Sequence, residues 1–322
     1  MPGPATRLSD SGHCACPAPD RLGAAAAFAI ATAVDKDSPE DRPFDRRLRR
    51  IRRDRAAAGD DGADYLIRRA ADELIDRLGQ VKRDFHDVLD LGCGRGHLTR
   101  FLQERGLNVT PADAGAAFAA AADGVQCDED RLPFAPASFD LVVSVGVLDS
   151  VNDLPGALAL ARRALRPDGL FLAAFAGAGT LPRLRRAMAA ADAAEGKGSS
   201  ARIHPQIDVR AAGDLLTRAG FALPVVDREA VVVRFSSLAR LVGDLRNMGA
   251  TNILAGPVRR LGRFGLAAAI ADFADGAGPD GRTDERFEII HVSGWAPDPG
   301  QPQPARRGSA TASLAEALKP KL

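Results

Sequence analysis

The stretch Val88-Leu89-Asp90-Leu91-Gly92-Cys93-Gly94-Arg95-Gly96 constrains the fold more than any other part of the chain. A short apolar run enters a Gly-x-Gly-x-Gly turn, and a helix-patterned run leaves it at His97. Glycines at such a turn let the backbone pass close to a ligand with no Cβ in the way. The amides that open the following helix face the same place. A strand feeding a ligand-binding turn and then a helix is the unit from which a parallel sheet with helices on both faces is built.

The rest of the chain carries the same alternation. Strands are expected at Asp87–Leu91, Asn108–Ala112, Val125–Cys127, Phe139–Val145, Leu170–Phe175, Phe221–Phe235 with a break near Asp227-Arg228, and Arg286–Trp295. Helices are expected at Asp64–Leu78 with Gly79 as C-cap, His97–Arg105, Gly115–Ala122, Leu154–Leu165 with Asp153 as N-cap, Val209–Ala219, Ser237–Met248 and Pro257–Phe273. A further helix and a Gly/Ser loop fill Thr180–Ser200. In Arg166-Pro167-Asp168-Gly169, proline presets φ and glycine permits a positive φ. The reading is an α/β fold: a doubly wound, seven-stranded, mostly parallel sheet with a helical insertion before the last strand. Residues 1–40 read as a disordered leader, 41–80 as a basic helical segment, and 81–296 as the main domain, with a cap at about 236–283. A tail occupies 297–322.

Composition excludes several classes. Lys plus Arg total 43 against 42 Asp plus Glu, which argues against a globally basic nucleic-acid binder. No apolar run approaches the roughly 18 residues of a membrane span. Cys14, Cys16, Cys93 and Cys127 make neither a disulfide framework nor a paired zinc motif, and no metal is expected, either at His13-Cys14-Ala15-Cys16 or from His204, Asp208 and His291. A reducing compartment fits: bacterial cytoplasm, or the mitochondrial matrix in a eukaryotic host. The near-neutral total hides a local feature, because Arg42–Arg55 holds eight arginines against Asp45 and Asp54. From its residues this segment reads as a solvated helix face first, and as a lid or docking element second.

The candidate site gathers around the turn. A dinucleotide fold would want its third glycine where His97 stands. Asp90, two residues before Gly92, would repel a pyrophosphate and suit a cationic amine. Asp113 closes the second strand, where an acid can accept from both ribose hydroxyls, although a helix N-cap would look the same. Asp140 reads better as a strand-edge cap, and Cys93 and Cys127 as small buried residues.

Asp90 with Gly92, Gly94 and Gly96 resembles motif I of the class I S-adenosylmethionine-dependent methyltransferases. Asp128-Glu129-Asp130-Arg131-Leu132-Pro133-Phe134 resembles that family's D-x-x-x-L-P-F segment, and Ser138-Phe139-Asp140-Leu141-Val142 its S-F-D-x-V strand. The resemblance implies S-adenosylmethionine as cofactor, held by Asp90, Gly92, Gly94, Gly96, Asp113, Asp128, Glu129 and Ser144. Val151-Asn152-Asp153-Leu154-Pro155 and Gly220-Phe221 are similar to the malonyl-carrier-protein O-methyltransferases of biotin synthesis. They are similar also to the complex I assembly factor that acts as a protein arginine hydroxylase. Phe44-Asp45-Arg46-Arg47-Leu48, Leu241–Asn252 and Arg307-Gly308-Ser309-Ala310 resemble the latter branch. A protein or acyl-carrier acceptor, a complex I subunit in that branch, is what the resemblance implies, with methylation, hydroxylation or a non-catalytic assembly role as its possible activities. Asp149-Ser150 stands where that family commonly has His-Trp; Asp149 reads equally as a group that orients or deprotonates the acceptor and as a helix-approach residue with no chemistry.

Overall fold

The computed structural model describes residues 42–302, apart from 60, 197 and 258; the leader, the Cys14–Cys16 segment and the Arg307–Ala310 motif lie outside the described residues. The elements are α1 (Arg46–Ala57), α2 (Tyr65–Gly79), β1 (Asp87–Leu91), α3 (His97–Glu104), β2 (Asn108–Asp113), α4 (Ala116–Ala121), β3 (Val125–Gln126), β4 (Phe139–Val145), α5 (Leu154–Ala164), β5 (Leu165–Ala176), α6 (Pro182–Glu195), α7 (Val209–Arg218), β6 (Ala222–Phe235), α8 (Leu238–Asn247), α9 (Arg263–Asp275) and β7 (Thr283–Trp295).

The seven strands run in the order β3-β2-β1-β4-β5-β7-β6. β1 pairs in parallel with β2 and β4, and β7 alone is antiparallel to both its neighbours. The chain winds outward from β1 to β3, then returns to β4 on the other side of β1. That reversal makes a crevice at the carboxyl ends of β1 and β4, where open α/β sheets bind ligands.

Alternate residues of the central strands enter two cores. Leu89, Val142, Phe171 and Ala173 pack with α5 and α7 on one face. Val88, Leu141, Val143, Leu170 and Leu172 pack with α2 and α3 on the other. Burial on both faces is why β4 reads as a continuous apolar run. A third cluster joins α6, α8 and α9 to Phe235 and Phe287, so the insertion between β6 and β7 packs on its own apolar floor. No helix among the described residues is long and apolar enough to cross a membrane.

Several local expectations need correction. β6 is continuous through Asp227-Arg228, because both charges are paired sideways, Asp227 to Arg77 at 2.6 Å and Arg228 to Glu288 at 3.1 Å; its irregularity falls at Ala222–Val225. α9 begins at Arg263 rather than Pro257, since the Arg259 carbonyl is taken by Arg202 at 2.9 Å and Gly262 serves as N-cap. Gly79 is the last residue inside α2, with Gln80 as C-cap. In the turn before Leu170 the positive φ, +60°, belongs to Asp168. Gly169 is required there for closeness: a Cβ would stand 2.9 Å from the Arg166 carbonyl. Asp140 accepts from the amides of His86 and Asp87 at 2.9–3.1 Å, the strand-edge role expected of it.

Candidate functional site

The glycine turn lies at the carboxyl end of β1. Gly92, Gly94 and Gly96 have φ of +83°, +51° and +72°, a region that disfavours any side chain. A Cβ on Gly92 would meet Val147 at 2.4 Å, whereas one on Gly94 would meet only the Gly92 carbonyl, at 3.9 Å. The turn is tied to β2: the amides of Gly92 and Cys93 donate to the Ala112 carbonyl, and that of Gly94 to Asp113 at 3.0 Å. Open backbone at Gly94 and an acid at the next strand end fit the methionine and ribose of an adenosyl cofactor.

The acids are brought together, but α1 lies on them. Arg46, Arg49, Arg50 and Arg53 share one helical face by their spacing. Arg53 clamps Asp113 through Nε at 2.6 Å and through a second contact from Nη2. Asp113 also accepts from Gly115 at 2.7 Å. Arg49 makes a bidentate pair with Glu129 at 2.6 and 2.7 Å. Arg50 holds Asp128 at 2.6 Å, and Arg46 holds Asp130 at 2.5 Å. Burial pushes the Asp113 carboxyl up, but Arg53 and the two glycine amides outweigh it and hold it below the usual range. Burial likewise works against the charge of Arg53, and Asp113 more than offsets it, so Arg53 is held above its ordinary value.

The motifs around the site explain how α1 is held. Asp45 caps the helix, accepting from Leu48. Asn152 exchanges two hydrogen bonds with the Phe44 backbone, at 2.9 and 3.1 Å. The Asp45 amide donates to Ile253 at 2.8 Å, which binds the start of α1 to the segment after α8. Arg95, between Gly94 and Gly96 of the turn, donates to the Ala56 carbonyl at 2.7 Å and pairs with Asp64. Sequence reasoning missed all of these partners. The one available signal was the helical spacing of the four arginines, set against acids at 113, 128, 129 and 130.

Asp90 and Ser144 lie beneath the turn. Asp90 accepts from Thr99 at 2.5 Å, and burial, with Asp113 nearby, pushes its carboxyl up to about 6 despite that bond. The Ser144 hydroxyl is buried with no hydrogen-bond partner, as is Asp128 Oδ1. Holding Asp90 ionised at neutral pH costs the fold about 3 kcal/mol. The folded form binds the proton more tightly than the unfolded one, so this loss of stability sets in as pH rises from about 4 to about 6. Asp90→Asn keeps the acceptor for Thr99 and removes the cost. It is expected to raise the melting temperature several degrees at pH 7.5 and to leave it unchanged near pH 4. Coincident melts at pH 7.5 would show that the carboxyl carries no such penalty.

Asp149 lies in the short turn Leu148–Ser150 after β4 and lines a cavity of about 700 Å3 beneath the cap. Burial pushes its carboxyl up to about 6, with Arg49 and Arg53 pulling the other way. Burial also raises both buried thiols, Cys127 to about 12, which removes them as nucleophiles at neutral pH. Among the described residues no group of three or more His, Cys, Asp or Glu stands together to hold a metal.

A methyltransferase-domain model matches residues 63–223. The "Arginine-hydroxylase NDUFAF5, mitochondrial" of Danio rerio is 34% identical over 287 residues, covering 86% of this chain and 89% of its own. The Malonyl-[acyl-carrier protein] O-methyltransferase of Laribacter hongkongensis is 34% identical over 265 residues, covering 76% and 87%. Among solved structures, a methyltransferase-like protein of Bacillus halodurans superposes with a TM-score of 0.50 at 15% identity, covering 71% of this chain and 99% of its own, a likeness of fold alone.

Proposed function

We propose a function from a fixed point: the chain belongs to the class I methyltransferase-domain family, in the branch that holds the arginine-hydroxylase NDUFAF5 proteins and the malonyl-[acyl-carrier protein] O-methyltransferases. The reading is an S-adenosylmethionine-dependent methyltransferase acting on a carrier-bound, protein or small-molecule acceptor. The observation that carries it is the convergence of the open Gly94 turn with Asp113, Asp128 and Glu129 at the switch point of the sheet.

When bound, S-adenosylmethionine supplies an electrophilic methyl group on a sulfonium. The chain's residues do the rest. Gly92, Gly94 and Gly96 would admit the methionine portion to the backbone, and Asp90 of β1 and Ser144 of β4 would hold it from the strands that lead into the turn. Asp113 takes the ribose hydroxyls, and Asp128 with Glu129 the adenine side. Asp149 receives the acceptor's proton, and the cap excludes water. Arg53 and Arg49 occupy Asp113 and Glu129, so cofactor binding requires α1 to release them. α1 is thus a lid, and the local excess of arginines is its means of closing.

Calorimetry with S-adenosylmethionine tests the assignment. Gly94→Val is expected to abolish binding, because a β-branched residue is strained at φ +51° and its side chain would enter the ligand's path. Unchanged binding would remove the turn from the site. Mass spectrometry of the acceptor then separates activities: a methyl transfer adds one CH2, a hydroxylation one oxygen.

A further inference from the structure

The cavity beside Asp149 is built for a different chemistry from the cofactor's. Its walls are Ile67 of α2, Leu184 and Met188 of α6, Val242 and Leu245 of α8, and Phe287 of β7. It extends to Leu266 and Ile270 of α9, which are 48% and 50% exposed, so an apolar path leads from the interior to the surface. A volume near 700 Å3 is within the range that encloses a whole small ligand.

Polar groups gather where α1 and the end of α8 meet. Arg49 donates to Ser150 at 3.1 Å, beside Asp149. Arg52 donates to Thr251, while its Nε is buried with no hydrogen-bond partner. Burial first, and then the like charges of Arg55 and Arg246, depress the Arg52 guanidinium. His204 accepts from the Ile253 amide at 3.1 Å, and burial with Arg52 and Arg49 pushes it down to about 4, so it adds no charge at neutral pH. The other lining acid, Glu288, is engaged by Arg228 and Arg286.

These features sort acceptors. A guanidinium or amine would meet the arginines as a like charge. A peptide backbone would find few partners for its amides and carbonyls along the apolar walls. A carboxylate head would be repelled by ionised Asp149. A neutral, weakly acidic hydroxyl satisfies both ends of the polar cluster while α1 is closed: it donates to Asp149 and accepts from the arginines.

We propose that this cavity binds a phenol- or enol-type hydroxyl carried on a long apolar tail, with the hydroxyl at Asp149 and the tail running toward Leu266 and Ile270. That this molecule is the methyl acceptor rests on the function proposed above; its binding does not. The probes are 4-nonylphenol, phenol, dodecanoate and an arginine-containing peptide, titrated into the full chain by calorimetry with and without S-adenosylmethionine. 4-Nonylphenol is expected to bind at least about a hundredfold more tightly than phenol, because each buried methylene contributes. Val242→Trp is expected to remove that difference while cofactor binding persists, and Ile270→Trp, at the exposed rim, to reduce it with no change in melting temperature. Equal affinity for phenol and 4-nonylphenol, or tighter binding of dodecanoate or of the peptide, would overturn the assignment. Binding of 4-nonylphenol with no affinity for S-adenosylmethionine would overturn the proposed activity and leave the cavity's ligand standing.

Discussion

Arg53→Ala is expected to tighten S-adenosylmethionine binding by about tenfold or more while lowering the melting temperature of the cofactor-free protein. The two effects share one origin. Asp113 is fully buried, and the guanidinium of Arg53 neutralises it. Removing one partner of a buried pair leaves an uncompensated charge and costs about 3–5 kcal/mol. In the variant, Asp113 keeps only the Gly94 and Gly115 amides, and the ribose hydroxyls of the cofactor replace the missing donors. Part of the lost stability therefore returns on binding, and about 1.4 kcal/mol of it is already a factor of ten in affinity. The variant should melt lower alone and show a larger cofactor-induced rise. Arg47→Ala is the control, because Arg47 lies on the same helix but is exposed; neither quantity should move. Weaker cofactor binding in Arg53→Ala would mean that Arg53 touches the cofactor itself, and α1 would then not be a competing lid.

The sheet was legible because its signals are local. β1 and β4 fall on their expected residues, since each stops at a glycine, Gly92 or Gly146, and is buried on both faces. The glycine turn and the acids at 113, 128 and 129 could be placed on one side of the sheet by the fold rule alone. What α1 does could not, because the partners of Arg49 and Arg53 are 80 and 60 residues away. Arginine in sequence reads as solvated, and only tertiary pairing buries it. Asp168 and Gly169 exchanged roles for a similar reason, since the need for glycine came from backbone approach and not from φ. The cavity was invisible for a third reason. Its walls come from α2, α6, α8, α9 and β7, and the apolar periodicity of each helix looks the same whether it packs against a neighbour or lines a space.

Methyl transfer to a neutral hydroxyl acceptor is expected to rise with pH up to about 6 and to level off above it, and Asp149→Asn should flatten that limb and slow the reaction by about 10²–10⁴-fold. The sign follows from the role. Only the ionised carboxylate can receive the acceptor's proton, and burial raises the pH at which Asp149 ionises to about 6, so activity falls as pH drops below it. A desolvated carboxylate is also a stronger base than an exposed one, yet it is still ionised at neutral pH, the compromise that general-base catalysis requires. An alkylphenol ionises near pH 10, so the limb belongs to the enzyme. Asp90 titrates in the same range, and the measurement must therefore be made at saturating cofactor, where Asp90→Asn should leave the limb in place. A flat profile between pH 5 and 8 in the unaltered protein, or an unchanged limb in Asp149→Asn, would take Asp149 out of the proton transfer.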